Sequence, residues 1–298
     1  MTNLFPRAVD QHKPNKPLVP NGLGVFYVII STVYIFLLYF FDVELNGGTS
    51  SGVSAALTLA VCILFGGFMG LMDDWIDLKW RYKAFFPLIA AIPLATFASA
   101  NPSLMRTSIT LPIFGSFNFG SYYYFLIIPI LVTIVTNTIN QLGGLNGLET
   151  VCPAIVMIGL MSIAGKNAIL LLVPLIVWLI LAFFNARGKI FVGNVGSFSI
   201  GMTLAAFAVI SDLKYDLIIS ILPYIFNSAL ILLTFFLYRT KASLSFDGKR
   251  LSSNHRRSLL TLITFNRSLT EKQVVTVTAL LVAATTLVAV LAHHFAMI

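Results

Sequence analysis

The chain has 298 residues, 58% of them hydrophobic and 10% charged, with a mean hydropathy of +0.91. A soluble domain carries about 25% charged residues. This chain has too little charge to cover a water-facing surface, which excludes a soluble enzyme, a disordered tail and a coiled coil and leaves a polytopic membrane protein. The net charge of +8 reads as membrane topology, and no nucleic-acid partner is expected.

The N-terminus, MTNLFPRAVDQHKPNKPLVPNG, is polar and precedes the first apolar run. It shows no cleavable signal, so the chain is expected to insert by its own first span. Nine candidate spans follow: Gly24 to Phe41, Val53 to Met72, Ala84 to Ala100, Tyr122 to Ile139, Val151 to Ala164, Ala168 to Phe184, Ser197 to Ile210, Leu217 to Leu237, and Val274 to Ala292. An all-α helix bundle is expected, because backbone polar groups in lipid must be satisfied within the segment. No strand-length alternation recurs to suggest a β-barrel, and no repeat suggests an inverted-repeat transporter. The whole of 1–298 reads as a single integral membrane domain, with 239–272 as its one sizeable loop. Cys62 and Cys152 lie in apolar runs and read as small buried hydrophobes.

Basic residues set the expected orientation. Nine spans put Arg7, Lys13, Lys16, Lys79, Arg81, Lys83, Arg187, Lys189, Arg239, Lys241, Lys249, Arg250, Arg256, Arg257, Arg267 and Lys272 on one side. Only Arg106, Lys166 and Lys214 fall on the other, a split of sixteen against three that uses all 19. The basic side is expected to be cytoplasmic. Asp10, Asp73, Asp74, Asp77, Glu149, Asp247 and Glu271 fall on the same side. Orientation does not require them there, so a cluster of acids and bases at the loop mouths is a functional-site hypothesis.

Five stretches carry candidate chemistry. DQHKPNKPLVPNGLG, from Asp10, is a rigid basic flap before the first span. LMDDWIDLKWRYK, Leu71 to Lys83, sets Asp73 and Asp74 directly against a span and follows them with three bases. On a helix Asp74 and Asp77 share a face. Paired carboxylates beside bases suit a divalent cation, or a base acting next to a phosphate; a solvated helix end explains the bases but not the adjacent acids.

NTINQLGGLNGLET, Asn137 to Thr150, holds three Asn and three Gly where a helix cap needs one. Asn137 and Asn140 can face one way, and the glycines allow a ligand close to the backbone. KIFVGNVGSFSIG, Lys189 to Gly201, leads a glycine turn into an apolar helix, whose N-terminus is an anion site; a Ser197 N-cap is the plainer account. In the loop after Leu237, Arg256 and Arg257 beside His255 have the chemistry to clamp a diphosphate, and the plainer account is a basic loop beside anionic lipid.

Together these stretches resemble the polyprenyl-phosphate N-acetylhexosamine-1-phosphate transferases, in order and over most of the chain. DDWIDLKWRYK, NTINQLGGLNGLE, FVGNVGSFSIGM and the NHRR loop carry the resemblance, which is closest to the eukaryotic and archaeal UDP-GlcNAc:dolichyl-phosphate GlcNAc-1-phosphate transferases. The resemblance implies ten helical spans and a site open to the cytoplasm in the cell membrane. It implies transfer of an amino-sugar 1-phosphate from a UDP-amino sugar to a polyprenyl or dolichyl phosphate, releasing UMP, with Mg²⁺ as cofactor and Mn²⁺ as a substitute. A homodimer stays open.

By resemblance, Asp73 and Asp74 are the catalytic pair near the acceptor phosphate, and Lys83 touches the diphosphate. Asn140 and Asn194 fall at metal positions. Asn146 and Phe191 fall where uridine is held, Phe191 by stacking. His255, Arg256 and Arg257 fall where diphosphate and sugar are gripped. The family usually has Asp where this chain has Asn194, and one more span before the basic flap. The rival readings are a transporter or channel, which needs ionisable groups within its spans, and a catalytically impaired relative that binds lipid or nucleotide, which Asn194 favours.

Overall fold

A computed structural model describes residues 5–43, 45, 53–111, 115–240 and 242–296. In chain order, a short hairpin of β1 (Arg7–Val9) and β2 (Leu18–Pro20) precedes α1 (Gly24–Phe40) and α2 (Ala55–Ile76). Then come α3 (Trp80–Ala90), α4 (Ile92–Ala100), a hairpin of β3 (Ser108–Leu111) and β4 (Gly115–Asn118), and α5 (Ile128–Gln141), entered through a π turn at Tyr123–Ile127. The second half holds α6 (Leu148–Ile163), α7 (Leu172–Asn185), α8 (Gly193–Ile210), α9 (Lys214–Ser220) and α10 (Leu222–Tyr238). The loop after α10 carries β5 (Ser245–Phe246), β6 (Leu251–Ser252) and α11 (Leu259–Ile263), and α12 (Glu271–Ala296) follows it.

Each expected apolar run is helical, and the breaks within runs sit at prolines. Pro93 opens α4 and Pro223 opens α10, because proline suits a first turn and not a helix interior. At the second break α9 and α10 bend by 63°. The bend frees the carbonyl of Ser220, and the Thr285 hydroxyl of α12 donates to it at 2.8 Å. A neighbouring side chain thus satisfies the broken backbone, as a bundle in lipid requires.

The expected count of nine spans is not reached. Among the described residues six helices are long and apolar enough to cross a membrane, or seven if α9 and α10 form one bent span. The shortfall lies in α1, with 17 residues, and α6, with 16. At about 1.5 Å per residue both fall short of a hydrocarbon core of about 30 Å.

The core is built around α8, whose residues from Val195 to Ile210 are all buried. It packs most extensively against α2, then α5. Missing side chains set that distance: a Cβ on Gly70 would lie 2.2 Å from the carbonyl oxygen of Asn194, and one on Gly66 would lie 2.8 Å from Ser199 Cα. Cys62 and Cys152 are buried free thiols, as expected. The outer faces stay apolar, with Phe36, Phe40, Leu233 and Phe236 exposed.

Charge separates the two ends of the bundle. At one end Arg106 Nε lies 3.4 Å from Asp212 Oδ2, and Lys214 pairs with the same carboxylate. Asn167, next to Lys166, donates to Ser211 at 3.2 Å. All three bases of the minority side therefore meet at one end, far from the five motif stretches. Lys241, one of the sixteen on the other side, lies outside the described residues.

Reporters fused after Lys83, Arg187 and Arg250 should all read one side of the membrane, and reporters near Arg106 and Lys214 the other. Arg106 on the side of Lys83 would contradict this arrangement. Gly70→Ala should lower stability by about 1–3 kcal/mol, because two backbones must part. Gly67→Ala meets only the Val28 side chain and should cost less; thermal unfolding in detergent decides, and equal losses would deny the close packing its role.

Candidate active site

The end of α2 and the start of α8 meet at the carboxylates. Asp73 is buried in the last turn of α2, where its Oδ1 accepts the Leu78 N–H at 2.9 Å and pairs with Lys83 Nζ at 2.8 Å. Its Oδ2 is buried with no hydrogen-bond partner. Asp74, exposed at the same turn, accepts the N–H of Asn194 at 3.0 Å and of Val195 at 3.1 Å. These are first-turn groups of α8, free of intrahelical partners, so the carboxylate fills the anion site that a helix N-terminus offers. The helix starts at Gly193 and not at Ser197; a side chain from another helix supplies the cap.

Asp77 does not share a face with Asp74. The helix stops at Ile76, and Asp77 takes a left-handed conformation with φ 46°. Chain reversal here carries α3 back so that Lys83 reaches Asp73. Asn137 and Asn140 also part: Asn137 donates to its own helix at Thr133 O, 2.9 Å away. Asn140 Nδ2 donates to Asn194 Oδ1 at 3.0 Å and to Ser197 Oγ at 2.8 Å. The two expected metal positions are thus adjacent and hydrogen-bonded to each other.

The loop after α5 is fixed by residues that its own motif does not contain. Gly147 has φ 91°, a Cβ there would crowd Ala186 at 3.2 Å, and its N–H donates to Asn185 Oδ1 at 2.9 Å. Asn185 also accepts the Thr150 hydroxyl and donates to Ile190 O at 2.9 Å. One fully buried side chain therefore ties the Asn146 loop to the segment before Phe191. Its only trace in sequence is a polar residue at the end of an apolar run. Phe191, half-buried, donates its N–H to Pro20 O at 2.8 Å and accepts from Leu23 N–H, which docks the flap beside it. Asn146 Nδ2 donates to Asp10 Oδ2 and Glu271 Oε1.

The NHRR loop is separated into distinct roles. Arg256 Cζ sits 4.1 Å over the Phe265 ring, and the Arg257 N–H donates to Thr261 Oγ1 at 2.9 Å. The Ser243 N–H points at His255 Nε2 at 3.5 Å, and His255 Nδ1 is buried without a partner. Asp247 is accounted for by its turn, where the N–H groups of Arg250 and Lys249 hold its carboxyl below the usual range. Among the described residues these contacts of His255 and Arg256 stay within the loop and do not reach the Asp73–Asn194 cluster. A cavity of about 340 Å³ is lined by Gln141, Gly143 and Gly144 of the α5–α6 loop and by Ser258 and Thr261 of the loop that follows α10.

The oxygen donors are of the hard type that suits a divalent cation, and among the described residues no three Asp, Glu, His or Cys side chains gather as a metal site, so amide oxygens would have to serve. The oxygens are carboxylate and amide, and Asp73 Oδ2 is a buried acceptor without a donor. Glu149, in the first turn of α6, has its carboxyl pushed up to about 7 by burial, with the charge of Asp74 adding to the rise. Burial disfavours the charged carboxylate, and a cation bound nearby would offset that cost. Asp73→Asn and Asp74→Asn should each lower turnover at least about tenfold, or about 1.4 kcal/mol, with folding intact. Near-normal turnover in both would remove the pair from the chemistry.

The sequence profile of glycosyl transferase family 4 matches residues 56–212. A protein of Saccharolobus solfataricus, provisionally named a UDP-N-acetylglucosamine–dolichyl-phosphate N-acetylglucosaminephosphotransferase, is 33% identical over 239 residues, covering 76% of this chain and 69% of its own. The Schizosaccharomyces pombe enzyme of that name is 30% identical over 268 residues, covering 74% and 59%. A phospho-N-acetylmuramoyl-pentapeptide-transferase of Clostridioides difficile is 29% identical over 224 residues, covering 70% and 67%. With several membrane-length helices around one acidic helix junction, and with these matches over most of its length, the chain belongs to glycosyl transferase family 4, a family of multi-pass membrane enzymes that transfer sugar 1-phosphates to polyprenyl phosphates.

Proposed function

We propose that the chain transfers N-acetylglucosamine 1-phosphate, or a related amino-sugar 1-phosphate, from its UDP donor to a polyprenyl or dolichyl phosphate, releasing UMP. The observation that carries this reading is the junction of α2 and α8: paired carboxylates, one lysine and two asparagines converge at the bundle end opposite Arg106 and Lys214. A lipid phosphate stays in the bilayer while its head reaches water, so such a reaction belongs where helix ends meet the aqueous phase. The basic excess at this end supports a cytoplasmic orientation. The identity to dolichyl-phosphate enzymes supports the amino sugar and the lipid class. Nothing among the described residues argues for the homodimer.

Asp73, Asn140 and Asn194 would hold Mg²⁺, or Mn²⁺ in its place; bound there, the ion supplies charge neutralisation between two anionic reactants. Asp74 is the exposed carboxylate of the pair, oriented by two N–H groups, and is the one set to meet the acceptor phosphate. Asp73, buried, orients Lys83 toward the diphosphate. Phe191 and Asn146 line the nucleoside end, and His255, Arg256 and Arg257 contribute donors and positive charge across the cavity for the diphosphate and sugar.

Asn194 favours a second reading, a slow or impaired member of the family. Its oxygen already accepts the Asn140 N–H, and an amide brings no full charge to a hard cation. A Mg²⁺ titration of UMP release, with UDP-GlcNAc and a polyprenyl phosphate, tests both. We expect release only with both substrates, and weak Mg²⁺ dependence. Asn194→Asp should lower the half-maximal Mg²⁺ concentration and raise kcat. Full rate with tight Mg²⁺ dependence and no effect of Asn194→Asp would remove that residue from the metal site. No UMP release from either chain would overturn the transferase reading.

A further inference from the structure

Asn146 is 7% exposed, and the two ends of its amide have opposite surroundings. Its Nδ2 donates to Asp10 Oδ2 at 2.7 Å and to Glu271 Oε1 at 3.0 Å, while its Oδ1 is buried with no hydrogen-bond partner. A carboxylate only accepts, so two of them leave the amide one orientation: nitrogen toward the acids, oxygen away. The flipped amide would set its oxygen against both.

Both acids are themselves held. Glu271 opens α12, its Oε1 also accepts the Asn146 N–H at 2.7 Å, and its Oε2 is paired with Lys13 Nζ. Asp10 is 3% exposed and accepts the His12 N–H at 3.3 Å. The lock therefore joins the flap, the α5–α6 loop and the last helix. A buried acceptor left unpaired is costly, and a site that keeps one suits a donor arriving with a ligand. Gly188 borders it without a side chain: a Cβ there would stand 3.4 Å from Oδ1 and 3.4 Å from Lys13 Cε. Phe191 follows three residues later.

We infer that Asp10 and Glu271 are positioning residues that fix Asn146 with its oxygen presented to the nucleobase, so that the site selects a base with a ring N–H at its pairing edge. Uracil carries that N–H at N3, and cytosine has a bare acceptor there. The inference rests on the proposed reading of Asn146 as a nucleoside contact and adds the basis of its selectivity.

The test is calorimetric binding of UMP and of CMP to the full chain in detergent. The unsubstituted chain should prefer UMP by about tenfold or more, since an acceptor facing an acceptor leaves both unpaired. Asp10→Asn and Glu271→Gln keep the shape, but each brings N–H groups that let the amide of Asn146 turn over. Each should cut the preference at least about threefold, through weaker UMP binding or stronger CMP binding. Lys13→Met breaks the ion pair to Glu271 without touching the amide, and should leave the UMP:CMP ratio unchanged; a matching fall there would assign the effect to flap docking and overturn the lock. Full preference retained in both acid variants would overturn it as well. A thermal midpoint for each variant separates misfolding from altered choice, and either acid variant suffices. If the unsubstituted chain binds no UMP, the nucleoside reading itself fails and the inference falls with it.

Discussion

The site depends on how closely α2 approaches α8. Gly66 and Gly70 remove the side chains that would hold the helices apart, and the Gly70 backbone rests on that of Asn194. At this distance the last turn of α2 overlaps the first turn of α8. Asp74 then meets the N–H groups of Asn194 and Val195, while its buried neighbour Asp73 is held by Lys83. Packing thus sets the electrostatics. The carboxylates are held in place by a helix end and a lysine, and leave one buried oxygen free to accept.

The other parts of the site are tied to this junction by long-range polar contacts. Asn140 of α5 bonds to Asn194 and Ser197 of α8, which anchors the α5–α6 loop to the same helix. Asn185 of α7 then joins that loop to the segment before Phe191. Glu271 and Asp10 close it from the two ends of the chain. The opposite end has its own polar cluster, in which Asp212 takes Arg106 and Lys214, and His293 Nδ1 lies 3.2 Å from Asp216. That cluster pins α9 and α12 together across the bend. Separation of the two clusters gives the bundle a chemical end and a structural end.

Much of this was legible in the residues. Apolar runs located the helices because burial in lipid demands long unbroken stretches, and clustered Asp, Asn and Gly at their ends pointed to the candidate site. The count of spans was less secure: the apolar runs Gly24 to Phe41 and Val151 to Ala164 are themselves short for a span, and the helices α1 and α6 built on them have only 17 and 16 residues. Local rules also failed where a distant group won. Ser197 looked like a cap, but α8 already starts at Gly193, with Asp74 accepting its first-turn N–H groups. Asp77 looked like a helical neighbour of Asp74, but the chain turns left-handed there. Asp10, Asn146 and Glu271 show no local signal of partnership, since 136 and 125 residues separate the amide from its two acids.

By this reading the α2–α8 junction is where a metal and a nucleoside diphosphate should meet. Crystals of the chain grown with Mn²⁺ and UDP address it directly, because an anomalous difference map locates the metal without reference to activity. A single strong peak is expected within bonding distance of Asp73 or Asn194, with the diphosphate beside it and the base next to Phe191 and Asn146. A peak at the Asp212–Lys214 end, or a nucleotide bound there, would contradict it.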